Sequence, residues 1–310
     1  MKYWENGKAV CYSGYREGQS PRTGVCPSYE EVLEDLRILV NDGFRYIRMY
    51  EPNAHARTAL RVIRDEKLPL KVMLGIDPKR EFNNIGCPWV KETLSASHLQ
   101  KNAAYNDRAL KKLITLANEY KDEIMCVSVG NENRPGWGAD LVTTDRLVEF
   151  ARKLKGSCEQ PVTYNEGTYE WLSLEKLVEV TDIISIHSYP LWNGVSADKA
   201  LAMNKEDYRT IKTRYPHKEV IFTECGWATR SNSNAMKQDQ VNELTQVNYI
   251  RSLWKWAEEE DIPVFIFEAF DEPWKGSEDD DEPEKHWGIY NVDRTKKKAW
   301  TGDACKEDKN

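Results

Sequence analysis

The sequence predicts an α/β fold: a single (β/α)8 TIM barrel over residues 1–310, with the active site at the C-terminal ends of the strands. Three observations predict it. Short, continuous apolar runs alternate with longer amphipathic stretches, which implies parallel strands joined by right-handed helical crossovers. Eight such runs occur, the number that closes a barrel of this class, and 310 residues suit one large α/β domain. No G-x-G-x-x-G follows the first run and no G-x-x-x-x-G-K-[ST] occurs anywhere, so the phosphate-binding signatures of doubly wound sheets are missing.

In chain order, KAVCYSG reads as the first strand, SYEEVLEDLRILVNDG as a helix ended by Gly43, and FRYIRMY as the second strand. LKVMLGI, IMCVSVG, PVTYNE, DIISIHSY, EVIFTEC and PVFIFEA follow as strands three to eight. Their Val- and Ile-rich continuity marks strands buried on both faces. Helical stretches between them include 107–120, 144–155, 200–214 and 241–259, and about seven helices are expected. There is no Pro- or Ser-rich linker and no repeat beyond the βα period. The acidic run Glu278-Asp279-Asp280-Asp281-Glu282 lacks the alternating oxygens and turn glycine of a calcium loop and reads as a solvated loop.

The net charge of −7 and pI near 5.5 argue against a polyanion partner such as nucleic acid. No apolar run reaches the roughly 18 residues that span a bilayer. The start, Met1-Lys2-Tyr3-Trp4-Glu5-Asn6, lacks a signal h-region, which fits either a cytoplasmic protein or an exported one whose signal has been trimmed. The cysteines (Cys11, Cys26, Cys87, Cys126, Cys158, Cys225 and Cys305) show no C-x-x-C and no ligand spacing. Cys11, Cys126 and Cys225 lie in strand contexts and are expected to pack as small hydrophobes. No metal and no cofactor is expected, and the protein is expected to act as a monomer.

In a barrel all strand ends meet at one mouth, so residues distant in sequence become neighbours. The ends carry Tyr12; Arg48 and Tyr50; Asp77; Asn131 and Glu132; Asn165 and Glu166; His187 and Tyr189; Glu224; and Glu268, Asp271 and Glu272. Trp137, Trp192, Trp227 and Trp274 each fall a few residues beyond a strand end, whereas Trp254 and Trp256 sit within a helix and read as outer packing. Eleven Trp and fifteen Tyr are many for this length, and aromatic faces suit flat apolar surfaces such as those of sugar rings.

Two carboxyl groups at one mouth suit cleavage of a glycosidic bond, which needs one carboxylate by the anomeric carbon and one proton donor by the leaving oxygen. Glu224 and Glu132 supply these, and Asn131 supplies a hydrogen bond to the sugar 2-hydroxyl. Arg48 and Tyr189 are expected to hold Glu224 ionised, and that nearby anion to keep Glu132 protonated. His187 has no partner at metal-ligand spacing and reads as a hydrogen-bonding residue. Other barrel chemistries fit less well: no H-x-H marks the first strand for a metal-dependent amidohydrolase, and DIISIHSY has no Schiff-base lysine. A non-catalytic sugar-binding barrel would keep the aromatic residues but lose an acid, and both acids are present.

The chain resembles glycoside hydrolase family 17, the β-1,3-glucanases and β-1,3-glucanosyltransferases. The matching pieces are VCYSG, RMY, VSVGNE, SYP, FTECGW, FEAFDEPWK and EKHWGIYN, spread over nearly the whole chain. The resemblance implies a retaining hydrolase of β-1,3-glucan, of bacterial type, with Glu132 as acid/base and Glu224 as nucleophile. It leaves open endo or exo action and hydrolysis or transfer. It further implies an accessory group at Glu272, Lys275 and Glu284, and action outside the cell, in the periplasm or at its surface. His187 stands where the family usually has Asn, and Leu191-Trp192 where an aromatic pair is usual. The long segments 13–27 and 77–97 are expected to wall the groove and limit the glucose units bound on one side.

Overall fold

The computed structural model describes residues 3–5, 7–90 and 92–301. Eight parallel strands close into one barrel in chain order. They are β1 (Lys8–Cys11), β2 (Phe44–Met49), β3 (Lys71–Gly75), β4 (Ile124–Asn131), β5 (Val162–Gly167), β6 (Ile183–His187), β7 (Glu219–Gly226) and β8 (Val264–Phe267). Phe265 opposite Ala9 and Ile266 opposite Val10 join β8 to β1. Closure removes the sheet edges. β6 is buried at every position and β3 at all but its first, as their unbroken apolar runs require.

The outer layer comprises α1 (Tyr29–Asn41), α2 (Ala54–Asp65), α3 (Ala96–Glu119), α4 (Thr144–Lys155), the short α5 (Thr168–Trp171) and α6 (Glu175–Val180), α7 (Ala197–Arg214) and α8 (Glu243–Glu259), with α9 (Lys298–Thr301) near the end. Local chemistry fixes their ends. Ser28 and Glu31 form a reciprocal capping box on α1, with bonds of 3.2 and 2.8 Å. Gly43, at φ +84°, supplies the left-handed residue beyond its end. α4 occupies the expected 144–155 under the cap of Thr143. α3 starts well before residue 107, because Ser95 caps it through the His98 amide at 3.3 Å. Its first turns are largely exposed, so no apolar period marks them in the sequence.

The two long loops behave differently. The segment after β1 folds against α1: Arg16 binds Glu34 at 2.7 Å and Asp35 at 3.0 Å, and Gln19 binds Glu31 at 2.9 Å. The segment after β3 instead joins the loop after β4. Asn84 donates to the carbonyls of Gly136 and Gly138 at 2.7 and 2.9 Å, and the Glu81 amide donates to Leu141 at 3.0 Å.

Cys11, Cys87, Cys126 and Cys225 are buried free thiols and Cys26 and Cys158 are half-buried free thiols, while Cys305 lies outside the described residues, as do Met1, Lys2 and Asn6. Residues 278–281 are exposed, as expected of a solvated loop. Trp254 packs on Phe44 and Trp300, and Trp256 on Tyr208 and Phe222, both in the outer layer. Among the described residues no helix is long and apolar enough to cross a membrane.

Candidate active site

Strand pairing becomes irregular just where the polar residues begin. The register slips between Ser128 and Asn131 on β4, between Ile186 and His187 on β6, and between Phe222 and Cys225 on β7. Such irregularities bend a strand and re-aim its side chains. Glu132, directly after β4, takes the left-handed conformation at φ +48°. Three successive residues of β5 hold this turn. The amides of Glu132, Asn133 and Arg134 donate to the Asn165 carbonyl (3.0 Å), the Tyr164 hydroxyl (2.8 Å) and the Glu166 carboxylate (3.1 Å). Burial, with Glu132 nearby, outweighs the hydrogen bonds that the Tyr164 hydroxyl and Gly167 amide give Glu166 and pushes it up to about 8.

Glu224 is 5% exposed and surrounded by donors. Arg48 Nη1 donates to its Oε1 at 2.5 Å, the Tyr50 hydroxyl to the same oxygen at 2.9 Å, and the Tyr189 hydroxyl to Oε2 at 2.6 Å. Burial alone would raise this carboxyl, but His187, Arg48 and Tyr189 together outweigh it and hold it at about 2. Arg48 also donates through Nη2 to the side-chain oxygen of Asn131, which turns the Asn131 amide NH2 away from the guanidinium. The Arg48 charge lies over the Tyr50 ring, 4.3 Å from its centroid.

His187 lies between the two acids. Its Nδ1 is 2.8 Å from Glu132 Oε1, and its Nε2 is 3.6 Å from Glu224 Oε1. Ligand-capable atoms of Glu132, His187 and Glu224 all lie within 4.8 Å of one another, a proximity that sequence spacing hides. The trio is a poor cation site, because the buried Arg48 guanidinium already pairs with Glu224 and would repel a second positive charge.

A second ionic cluster follows β8. Lys275 pairs with Glu268 at 2.7 Å and with Glu272, whose other oxygen accepts the Trp274 indole N–H at 3.0 Å. Burial and the Glu272 charge push Glu268 well above the carboxylate range, while Lys275 keeps Glu272 below its ordinary value. Burial raises half-buried Glu284 to about 7; Glu224 and Glu132 add to the rise and Lys275 opposes it. Asp77, two residues beyond β3, is exposed near Glu51, Asp140 and Glu132. Asp271 turns to Lys297 and the Gly288 amide, each at 2.9 Å.

The structure corrects two residues placed at the mouth from sequence. Tyr12 is buried with its hydroxyl on Asp35 of α1 at 3.2 Å, packed against His55 and Phe270, so it belongs to a structural network with Arg294. Trp227 is 0% exposed, with its indole N–H on the Gln240 carbonyl at 2.8 Å and its ring on Tyr249. Trp192 is half-buried over Trp287 at 6.2 Å. Sequence reasoning missed Trp287, which packs against Phe267 and against Tyr189, one of the Glu224 donors. It also missed Trp89, although its position in a long mouth loop was a signal.

A family model described as the BtgE/BtgC glycoside hydrolase domain matches residues 9–288. A probable glucan endo-1,3-beta-glucosidase, btgC, of Aspergillus flavus is 25% identical over 294 residues, covering 86% of this chain and 39% of its own. A probable beta-glucosidase, btgE, of Aspergillus fumigatus is 23% identical over 294 residues, covering 91% of this chain and 45% of its own. The chain thus spans less than half the length of these fungal relatives, which leave a bacterial origin untested. Among solved structures, an endo-laminarinase from Formosa Hel1_33_131 superposes with a TM-score of 0.78 at 24% identity, covering 97% of this chain and 87% of that one. A glycoside hydrolase family 17 β-1,3-glucanosyltransferase from Rhizomucor miehei superposes with a TM-score of 0.71 at 18% identity, covering 94% and 95%. At these identities the superpositions show a shared fold.

Proposed function

Because the chain belongs to the BtgE/BtgC glycoside hydrolase family, we propose that it cleaves β-1,3-glucan with retention of anomeric configuration. One observation carries the reading: Glu224 is held ionised by three donors while a carboxylate oxygen of Glu132 lies within 4.8 Å of one of its own. Two carboxyls this close leave little room for the water that an inverting enzyme places between them, a separation of about 6.5–9.5 Å. The names of the btgC relatives and of the two superposed structures support the β-1,3 linkage.

In the first step the Glu224 carboxylate attacks the anomeric carbon while Glu132 gives its proton to the glycosidic oxygen. The carbon–oxygen bond breaks, the leaving sugar departs neutral, and the glycosyl–Glu224 ester remains. In the second step Glu132 takes a proton from the incoming hydroxyl, whose oxygen displaces Glu224. Water gives hydrolysis; a second sugar at the same place gives transfer, which the name of the Rhizomucor miehei neighbour keeps in view. Asn131, its oxygen fixed on Arg48, directs its NH2 to the sugar 2-hydroxyl, while Trp192 is the half-buried ring available for stacking. A polymeric glucan is met outside the cytoplasm, so the place of action is extracellular, periplasmic or at the cell surface.

The test is chemical rescue. Azide added to a Glu224→Gly variant with an activated β-glucoside should yield the α-glucosyl azide, and early product from laminarin should be the β-anomer by NMR. An α-anomer as first product would overturn the retaining assignment. Oligosaccharides longer than the starting laminaripentaose would show transfer.

A further inference from the structure

We propose that Asp207 on α7 is a positioning residue for the reaction: through Ser188 it holds the end of β6, and with it His187 and Tyr189, against Glu132 and Glu224. The inference rests on the glucan reading above and deepens it. Ser188 stands between the two residues that touch the acids, since His187 reaches Glu132 at 2.8 Å and Tyr189 donates to Glu224 at 2.6 Å. Successive side chains of an extended chain alternate sides. Those of His187 and Tyr189 enter the mouth, and that of Ser188 turns outward to α7.

The sheet alone does not hold this strand end. The register slips between Ile186 and His187, and β6 stops at His187, so regular pairing ends before Ser188 and Tyr189. Other ties take over. The Ser188 amide donates to the Glu224 carbonyl at 3.0 Å, while its hydroxyl donates to Asp207 Oδ2 at 2.5 Å and accepts from Asn204 Nδ2 at 2.8 Å. The Tyr249 hydroxyl of α8 donates to the other end of Asn204 at 3.0 Å. Ser188 is thus tied to the Glu224 backbone, directly to α7, and through Asn204 to α8.

Packing alone does not call for these groups. The buried residues of α7 are Ala200, Asn204, Asp207 and Ile211, so two polar side chains interrupt the stripe that faces the barrel. An apolar pair of the same shape would serve a helix face about as well. Asp207 is 3% exposed and pairs with no cation among the described residues. Burial raises its carboxyl to about 6, with Glu206 adding to the rise and the Ser188 hydrogen bond opposing it. The native state then binds more protons than the unfolded state between about pH 3.9 and 6, so this group lowers stability as pH rises through that window. What the charge supplies is grip, because a hydrogen bond to an ionised acceptor is about twice as strong as a neutral one.

The test sets turnover of laminarin against melting temperature at about pH 8, where the Asp207 carboxyl is ionised. Asp207→Asn keeps an acceptor for Ser188 and removes the buried charge, so it should melt no lower than the parent while kcat falls about threefold and KM stays within about twofold. Asp207→Ala removes the acceptor, and its kcat should fall about tenfold, short of the hundredfold of a 1 Å misplacement. Because Asp207 acts through Ser188, the Ser188→Ala/Asp207→Asn double variant should lose no more kcat than Ser188→Ala alone. An unchanged kcat in Asp207→Asn, a kcat that falls only in step with the melting temperature, or losses that multiply in the double variant overturn the inference. The parent's own cleavage of laminarin then leaves the glucan reading standing. A parent that leaves laminarin intact overturns both.

Discussion

His187 Nδ1 lies 2.8 Å from Glu132 Oε1 while the opposite edge of the same ring faces Glu224 and Arg48. One buried imidazole therefore fixes Glu132, the proposed acid/base, relative to the Arg48–Glu224 ion pair. Replacing it with Ala should lower kcat/KM about a hundredfold, the usual scale for misplacing a reacting group by about 1 Å. The signature is unequal loss. A positioning residue for the acid matters most when the leaving group needs a proton, so a natural glucan should suffer far more than a dinitrophenyl glycoside. An equal loss on both substrates would place His187 elsewhere in the mechanism. His187→Asn, which keeps one hydrogen-bonding arm but cannot span both acids, should lose less than the Ala variant.

Arg48 supplies one arm to Glu224 and the other to Asn131, and its Nη1 also reaches the Thr223 carbonyl at 3.1 Å. A lysine keeps the charge but not the fork. Arg48→Lys should cut kcat/KM about ten- to a hundredfold, and Arg48→Met more, with a stability loss of about 3–5 kcal/mol from the unpaired buried carboxylate. The pH dependence follows in sign. Glu224 is depressed to about 2, so its ionised form stabilises the fold fully above the ordinary value of about 4.3, and that contribution is lost as pH falls toward about 2. Without Arg48 the Glu224 carboxylate protonates at higher pH. The acid limb of kcat/KM, measured from about pH 3 to 7, should move upward in Arg48→Met; an unmoved limb would show that Tyr50 and Tyr189 suffice.

Glu284 is raised to about 7 by burial and by the two acids of the site. The native state then binds more protons than the unfolded state between about pH 4.3 and 7, so this group lowers stability as pH rises through that window. Glu284→Gln removes the effect. Its melting temperature relative to the parent should rise by a few degrees from pH 5 to 8. A constant difference across that range would show that Glu284 is not held in its protonated form.

The barrel was legible because parallel strands buried on both faces must read as unbroken apolar runs, and all eight runs became strands. Arg48, Tyr50, Tyr189 and Glu224 were legible for a related reason: a polar side chain ending such a run can only enter the mouth or be lost in the core. Tyr12 defeats this logic, since its hydroxyl finds Asp35 on a neighbouring helix, a tertiary partner with no sequence signal. The β5 clamp on the Glu132 turn was equally hidden, because it uses a carbonyl, a hydroxyl and a carboxylate of adjacent residues for three different amides. The early start of α3 escaped because its first turns are largely exposed and the first residue they bury is the polar Asn102.

Two tryptophans that look alike in sequence, each just beyond a strand end, should separate cleanly by experiment. Trp227 is fully enclosed, hydrogen-bonded at 2.8 Å and packed on Tyr249, so Trp227→Ala opens a large cavity and removes the donor to the half-buried Gln240 carbonyl. Its cost should be about 3–5 kcal/mol, seen as a lowered denaturation midpoint with little specific effect on KM in whatever protein remains folded. Trp192 is half-buried and rests on Trp287 by one face. Trp192→Ala should shift the denaturation midpoint little and raise KM for laminari-oligosaccharides about tenfold, because the lost face is the one a sugar ring would cover. A Trp192→Ala variant that loses stability but keeps its KM would assign that ring to the core, as Trp227 is.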